Sequence, residues 1–170
     1  MAVCSYTRRG FIAGGAAVGR CFSSGRVLAQ PSDPADLTIE EASKLVRTRS
    51  LSPTELVRAY LERIGRLNPR LNAFITVTEE LAYAQARERE SELDGGLWRG
   101  PLHGIPIALK DNIDTAGVLT TAGSALFAER IPSEDAEVVL RLKEAGAVLL
   151  GKLNMHEFAY GATSGASHYG

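Results

Sequence analysis

The residues that decide the fold are 105–110, which read IPIALK and stand directly before a Gly/Thr-rich loop at 111–123. An apolar run of this length, with proline near its start, is typical of a buried strand. A helix is predicted next over 134–145, and Ala147 to Leu150 form a second buried strand. Strand, helix and strand make a βαβ unit, which predicts parallel pairing and a right-handed crossover. The chain is therefore expected to be α/β.

Two helices upstream of this unit have clear start signals. Residues 38–41 (TIEE) and 52–55 (SPTE) are capping boxes, in which a hydroxyl and a glutamate satisfy the first free N–H groups of a helix. The first helix should run to about Arg49. The second should end at Asn68-Pro69, because proline cannot donate the next helical hydrogen bond.

The remaining predicted elements complete the layers around the sheet. Residues 73–78 are a strand candidate, and 79–93 form a third helix whose Arg/Glu run is a solvated face. In the helix of the βαβ unit the residues predicted to face inward are Val138, Val139 and Leu142.

Composition excludes several classes of protein. The 170 residues are 45% hydrophobic and 23% charged, which is typical of a globular chain. Nineteen basic and 20 acidic residues give a net charge of −1, without the basic excess of a general nucleic-acid binder. Two cysteines exclude a disulfide-dense scaffold and a four-cysteine zinc site.

The first 29 residues differ from the rest. They hold no Asp, Glu or Lys but carry four arginines and both cysteines, so 30–170 has 15 basic and 20 acidic residues and a net charge of −5. The stretch 7–12 (TRRGFI) places an arginine pair before a short apolar run, and Ala29 closes a small-residue cleavage site. This pattern resembles a bacterial twin-arginine signal, which predicts the export machinery as a partner and a periplasmic or secreted location.

Other interpretations of this segment stay open. It could be an ordinary basic amphipathic N-terminus or reflect a mis-assigned start codon. A lipoprotein signal fits less well, because Arg20 precedes Cys21 where a small residue is required. The following residues 30–37, with two prolines, are predicted to be an extended leader.

Two stretches resemble ligand-binding motifs, one for phosphate and one for zinc, but each lacks a residue that the motif requires. Residues 146–153 (GAVLLGKL) nearly spell a phosphate-binding loop, but they form a buried strand and lack the Ser/Thr that would hold magnesium. His156 begins a zinc-protease-like helix whose second histidine is replaced by Tyr160. With His103 and His168 far away in sequence, no metal is expected, and each histidine is predicted to be a hydrogen-bonded structural residue.

Lys110 is the candidate catalytic residue. Strand alternation places Ile105, Ile107 and Leu109 on one face and Lys110 with small residues on the other. The carboxyl end of a strand in a βαβ unit is where open α/β sheets place their sites. Apolar surroundings lower the pKa of an amine, and a neutral lysine can act as a general base. The alternative is a lysine that snorkels to solvent at a strand end.

The same stretch resembles a known family. Residues 100–112 (GPLHGIPIALKDN) resemble the opening block of the amidase signature family. The similarity continues through 120–124, 142–147 and 151–159, in the right order, and covers essentially all of 38–170. It implies an amidase-signature fold, a mixed sheet covered by helices. It also implies hydrolysis of small carboxylic amides by a Ser–cis-Ser–Lys triad, with no metal or organic cofactor.

The resemblance assigns the catalytic lysine to Lys110 and supporting hydrogen bonds to Asp111 and Asn112. Residues 154–158 would lie near the substrate pocket or would serve strand-to-helix packing. Both serines belong to a Gly/Ser-rich segment expected after Gly170, and the neighbours of Ser164 and Ser167 do not match it. We therefore expect 38–170 to be the N-terminal portion of an amidase domain, inactive by itself. The alternatives are the A subunit of a tRNA-dependent amidotransferase and a non-catalytic truncated remnant.

Overall fold

The computed structural model describes residues 33–163 and 165–170. The chain is α/β, with helices α1 (Ile39–Arg47), α2 (Pro53–Leu71), α3 (Glu79–Asp94) and α4 (Glu137–Glu144) and strands β1 (Phe74–Val77), β2 (Pro106–Lys110) and β3 (Val148–Leu153). Short 3₁₀ turns lie at Pro34–Asp36, Ala125–Phe127 and Glu157–Ala159. The predicted α/β fold with a mixed sheet and covering helices is confirmed.

The sheet has the order β1-β3-β2. Strands β2 and β3 are parallel and are joined through α4, as the βαβ prediction required, whereas β1 pairs antiparallel with β3. The register of β2 with β3 shifts by one residue between Ile107 and Ala108. The sheet is therefore mixed, with the parallel pair carrying Lys110 at its carboxyl end.

Helices cover both faces of the sheet because successive residues of β3 point in opposite directions. Val148 and Leu150 pack with Val57 of α2 and Ala86 of α3. Leu149, on the other face, joins a second core cluster with three buried partners: Leu109, Val118 and Val139. The central strand is thus buried on both sides, which is typical of a parallel pair in an α/β fold.

Both predicted capping boxes are present. Thr38 Oγ1 accepts a hydrogen bond from Glu41 N at 3.2 Å, and Ser52 Oγ accepts one from Glu55 N at 3.1 Å. The prediction that the second helix ends at Asn68-Pro69 is wrong, because α2 continues to Leu71. The Asn68 side chain donates to Phe74 O and accepts from Phe74 N, so it joins the helix to β1 without ending the helix.

Two further boundaries differ from the prediction. The predicted extended leader is wrong for its described part, because Pro34–Asp36 forms a 3₁₀ turn. Its N-cap, Asp33, and its last residue, Asp36, both bind Arg63, at 2.6 and 2.7 Å. Helix α4 begins at Glu137, three residues late, because Ala136 still has an extended backbone (ψ 150°) and is anchored to the loop by its N–H, which donates to Asp114 O.

Two predicted orientations also need correction. Val138 is 46% exposed, while Val139 is buried as predicted. In α3 the predicted solvated face does not include Arg89, which is only 6% exposed and binds Glu88 and Glu92 at 2.6 and 3.3 Å. Its buried carbonyl faces His103 Nε2 at 2.9 Å, so this turn of the helix packs against the 99–103 loop.

Gly151 sets how closely β1 and β3 approach. Its φ is +154°, and a Cβ at this position would lie 2.1 Å from Thr76 O. No side chain fits that distance, so the antiparallel edge of the sheet depends on glycine here.

We expect Gly151→Ala to lower the free energy of unfolding by about 3 kcal/mol or more, because the β1–β3 pairing must separate. The matched control is Gly65→Ala within α2, where a Cβ has nothing within 4 Å. That substitution should raise stability by roughly 0.5–1 kcal/mol, because alanine favours helix. Urea unfolding of the three proteins makes the comparison, and equal midpoints for the wild type and Gly151→Ala would contradict it.

Candidate active site

Lys110 is the last residue of β2, level with Leu153 of β3. The predicted alternation is present within β2, where Leu109 packs with Ile107 in one core cluster and Lys110 is exposed. Ile105 precedes the strand and packs in a different cluster, with Ala42 and Leu56. Among the described residues nothing encloses the lysine, so its side chain has the exposure that the snorkelling alternative predicted. Its place at the carboxyl end of a parallel strand is the one at which α/β sheets present reactive groups.

Asp111 turns the chain away from the sheet immediately after Lys110. It is fully buried, and its Oδ2 accepts hydrogen bonds from Thr121 N at 2.8 Å and Thr121 Oγ1 at 2.5 Å. Its backbone N–H donates to Leu153 O, and its carbonyl accepts from Ala122 N. The supporting hydrogen bonds predicted for Asp111 are therefore present, whereas Asn112 is exposed.

Lys152 of β3 lies opposite Asp111 and is also fully buried. Its ammonium donates to Ile113 O at 2.8 Å and to Thr120 Oγ1 at 2.7 Å, and it lies 3.5 Å from Asp111 Oδ1. Burial lowers the pKa of Lys152 below the ordinary lysine value, while the Asp111 carboxylate acts in the opposite direction. Two hydrogen bonds and one ion pair thus tie the centre of the 111–123 loop to the central strand.

The outer side of the same loop is held by Arg130. Its guanidinium donates two hydrogen bonds to Asp114, at 2.8 and 2.7 Å, and these bonds lower the pKa of that carboxyl. Thr120 N donates to Arg130 O at 2.9 Å. The loop after Lys110 is therefore fixed from both sides.

The segment after β3 lies against this loop through backbone hydrogen bonds. Phe158 N donates to Ala122 O and His168 N donates to Gly123 O, both at 2.9 Å. Ala122, Phe158 and Ala159 all have positive φ, an uncommon conformation for residues with a side chain. Both segments are therefore held in an uncommon backbone conformation where they meet.

Within 154–158, Asn154 and Met155 have the packing role that was one of the two predicted, while Phe158 is 49% exposed. Met155 is fully buried, and Asn154 donates to Asn72 O and to Gly170 O. Ser167 Oγ donates to Asn154 Oδ1 at 2.7 Å and accepts from Tyr169 N, as expected of a turn serine. Ser164 lies outside the described residues.

The stretches that resembled ligand-binding motifs, and the histidines, have structural roles in the fold. Residues of the phosphate-loop-like stretch form β3, as predicted. His103 is fully buried, and its Nδ1 accepts from Arg99 N while Nε2 lies 2.9 Å from Arg89 O, which is the structural role predicted for it. Within 33–163 and 165–170 no group of three or more His, Cys, Asp or Glu side chains is arranged to hold a metal.

Lys152 is the site residue that the sequence patterns did not predict. In the sequence it belongs to the phosphate-loop-like stretch, which fails as a motif, and to the family-like block 151–159, where no role was assigned to it. The available signal was a lysine one residue before the end of an apolar strand, because a charge buried there requires a partner. Asp111, at the end of the neighbouring strand, was the obvious partner.

Comparison with known proteins identifies the family. A model of the Amidase family matches residues 55–170, which include Lys110, Asp111 and Lys152. The chain belongs to the amidase family.

Several relatives are similar in sequence or structure. The A subunit of glutamyl-tRNA(Gln) amidotransferase from Azoarcus sp. (strain BH72) is 49% identical over 78% of this chain and 27% of its own. The peptide amidase of Stenotrophomonas maltophilia is 42% identical, with a TM-score of 0.72 over 76% of this chain and 27% of its own. A chain from a structure described as a vestigial protein complex, bearing on the origins of an s-triazine catabolic enzyme, is 38% identical. Its TM-score is 0.76 over 79% of this chain and 30% of its own.

The chain spans about 27% of the length of the curated relatives it matches. In the described residues no helix is both long and apolar enough to cross a membrane. The predicted signal peptide at 1–29 lies outside the described residues.

The Lys152–Asp111 pair should make a large contribution to stability. Lys152→Met leaves a buried carboxylate without its cation, so we expect a loss of about 3–5 kcal/mol. Adding Asp111→Asn removes the second charge, and the double variant should be more stable than Lys152→Met alone. Urea unfolding of the wild type, the two single variants and the double variant gives the free energies of this double-mutant cycle.

Arg141→Met is the control, because the Arg141–Glu137 pair on α4 is 74% and 69% exposed. Its removal should change stability by no more than about 0.5 kcal/mol. Additive effects of Asp111→Asn and Lys152→Met would show that the two groups are not coupled.

Proposed function

We propose that this chain is the lysine-bearing part of an amidase that hydrolyses a small carboxylic amide by a Ser–cis-Ser–Lys mechanism. The observation that supports the proposal most directly is the place of Lys110. It stands at the carboxyl end of the parallel strand β2, in a block that the Amidase family model matches. The chain spans only about 27% of its relatives, so the activity is proposed for the whole protein.

In the proposed mechanism the Lys110 amine accepts the proton of the nucleophilic serine through the cis-serine. The nucleophilic serine then attacks the amide carbonyl, and backbone N–H groups of a Gly/Ser-rich loop stabilise the oxyanion. The tetrahedral intermediate then breaks its C–N bond as the proton held by Lys110 returns through the cis-serine to the leaving nitrogen, which releases ammonia or an amine. Water hydrolyses the remaining acyl-enzyme to the acid and the free serine. This role for Lys110 is supported by the backbone on either side of it, which is hydrogen-bonded to β3 or to the 111–123 loop.

The second candidate is the A subunit of a tRNA-dependent amidotransferase, which would release ammonia from glutamine in a complex with other subunits. It is favoured by the 49% identity to proteins with that name. The arginine-pair segment argues against it, because an exported protein could not work on cytosolic tRNA. Hydrolysis of free amides without partner subunits supports the amidase, and activity restricted to glutamine in the presence of partners supports the subunit. A non-catalytic remnant would show neither activity.

Lys110→Ala in the whole protein should abolish amide hydrolysis and leave folding largely unchanged, because the side chain is exposed on the described residues. We expect a loss of at least about 10³-fold in kcat, since a triad acts as a unit. Lys44→Ala, at an exposed position on α1, is the control and should retain full activity. Near-normal turnover by Lys110→Ala would remove the base assignment.

We also propose that residues 1–29 direct export through the twin-arginine machinery to the periplasm. The proposal is supported by the arginine pair Arg8-Arg9, the weakly apolar run that follows and the absence of acidic residues.

Replacing both arginines of the pair (Arg8→Lys with Arg9→Lys) should stop export of a folded reporter fused after Ala29, since the signal is recognised by its arginines and not by charge alone. Arg20→Lys keeps the pair and should be exported normally. Cell fractionation measures the distribution, and equal export of both variants would contradict a twin-arginine signal.

A further inference from the structure

Lys110 and Lys152 lie on neighbouring strands but on opposite faces of the sheet. In the parallel register Lys110 is level with Leu153, and Lys152 is level with Leu109. Residues level with each other share a face, and successive residues alternate. Lys152 therefore lies on the buried face with Leu109, while Lys110 lies on the face where it is exposed.

Asp111 connects the two lysines. It continues the parallel pairing by donating its N–H to Leu153 O at 3.1 Å, so alternation returns its side chain to the face of Lys152. There its Oδ1 lies 3.5 Å from the Lys152 ammonium and its Oδ2 binds Thr121. Because Asp111 directly follows Lys110, whatever fixes Asp111 also fixes the point at which the Lys110 side chain leaves the strand.

Lys152 is not itself placed to exchange protons with a substrate. It has no exposed area, and its ammonium is occupied by Ile113 O, Thr120 Oγ1 and Asp111. Ile113 N also donates to Lys110 O at 3.0 Å, so the carbonyl bound by Lys152 belongs to the turn that begins at Lys110. The three polar partners of Lys152, one carbonyl and two side chains, thus all belong to the loop that follows the candidate base.

We propose that Lys152 is a positioning residue for Lys110, holding the 110–121 backbone from the buried face so that the Lys110 amine reaches the reacting atoms on the opposite face. The proposal rests on the proposed role of Lys110 as base. A displacement of about 1 Å in a reacting group can lower turnover by about 100-fold. Binding of the amide, which involves other groups, would change little.

The test compares Lys152→Met with Arg141→Met in the whole protein, at a temperature where melting curves show both variants fully folded. We expect Lys152→Met to lower kcat by about 100-fold with KM nearly unchanged. Hydrogen–deuterium exchange of 110–121 should become faster in Lys152→Met alone, and Arg141→Met should match the wild type in every measurement. If Lys152→Met does not fold, Thr121→Val removes one donor to Asp111 and should lower kcat by roughly fivefold.

Each other outcome overturns the proposal. Normal kcat with faster exchange would mean that Lys152 stabilises the fold without positioning the base. Unchanged exchange would mean that it does not hold this backbone. Lys110→Ala separates this proposal from the proposed function, because it should lose activity and keep wild-type exchange over 110–121. Activity retained by Lys110→Ala would refute the base assignment itself, whatever Lys152→Met does.

Discussion

The ion pair between Lys152 and Asp111 is the interaction on which the arrangement of this site depends. A lysine without exposed area is unfavourable unless its charge is matched, and here two oxygen acceptors and one carboxylate match it. The acceptors all come from one loop, so satisfying the lysine requires the loop to take a single conformation. A local electrostatic requirement thereby determines the course of the chain from the end of β2 to the segment that follows β3.

The sheet around this pair is built by close packing on both faces. Helices α2 and α3 cover one face, and α4 with the 111–123 loop covers the other. Gly151 allows β1 to approach β3 more closely than any other residue would, directly beside Lys152. Lys152 itself has no exposed area, so its ion pair with Asp111 is shielded from bulk water.

Sequence alone was sufficient for the elements that have strong local signals. The capping boxes at Thr38 and Ser52, the βαβ unit and the opposite faces of Leu109 and Lys110 were all predicted from neighbouring residues, whereas the exposure of Lys110 matches the alternative interpretation. The failures involve long-range contacts. Asn68 joins α2 to β1 and lets the helix run past Pro69, and the loop around Asp114 delays the start of α4. Lys152 was missed for the same reason, since its partners lie about 30 to 40 residues away in sequence.

The contacts between the loop after Lys110 and the segment after β3 are made by main-chain atoms. Phe158 N with Ala122 O and His168 N with Gly123 O join segments far apart in sequence, and neither bond requires a particular side chain. The backbone conformation of this part of the molecule therefore does not depend on which side chains its surface carries. Side chains on this surface can thus be exchanged while the framework that carries Lys110 stays the same.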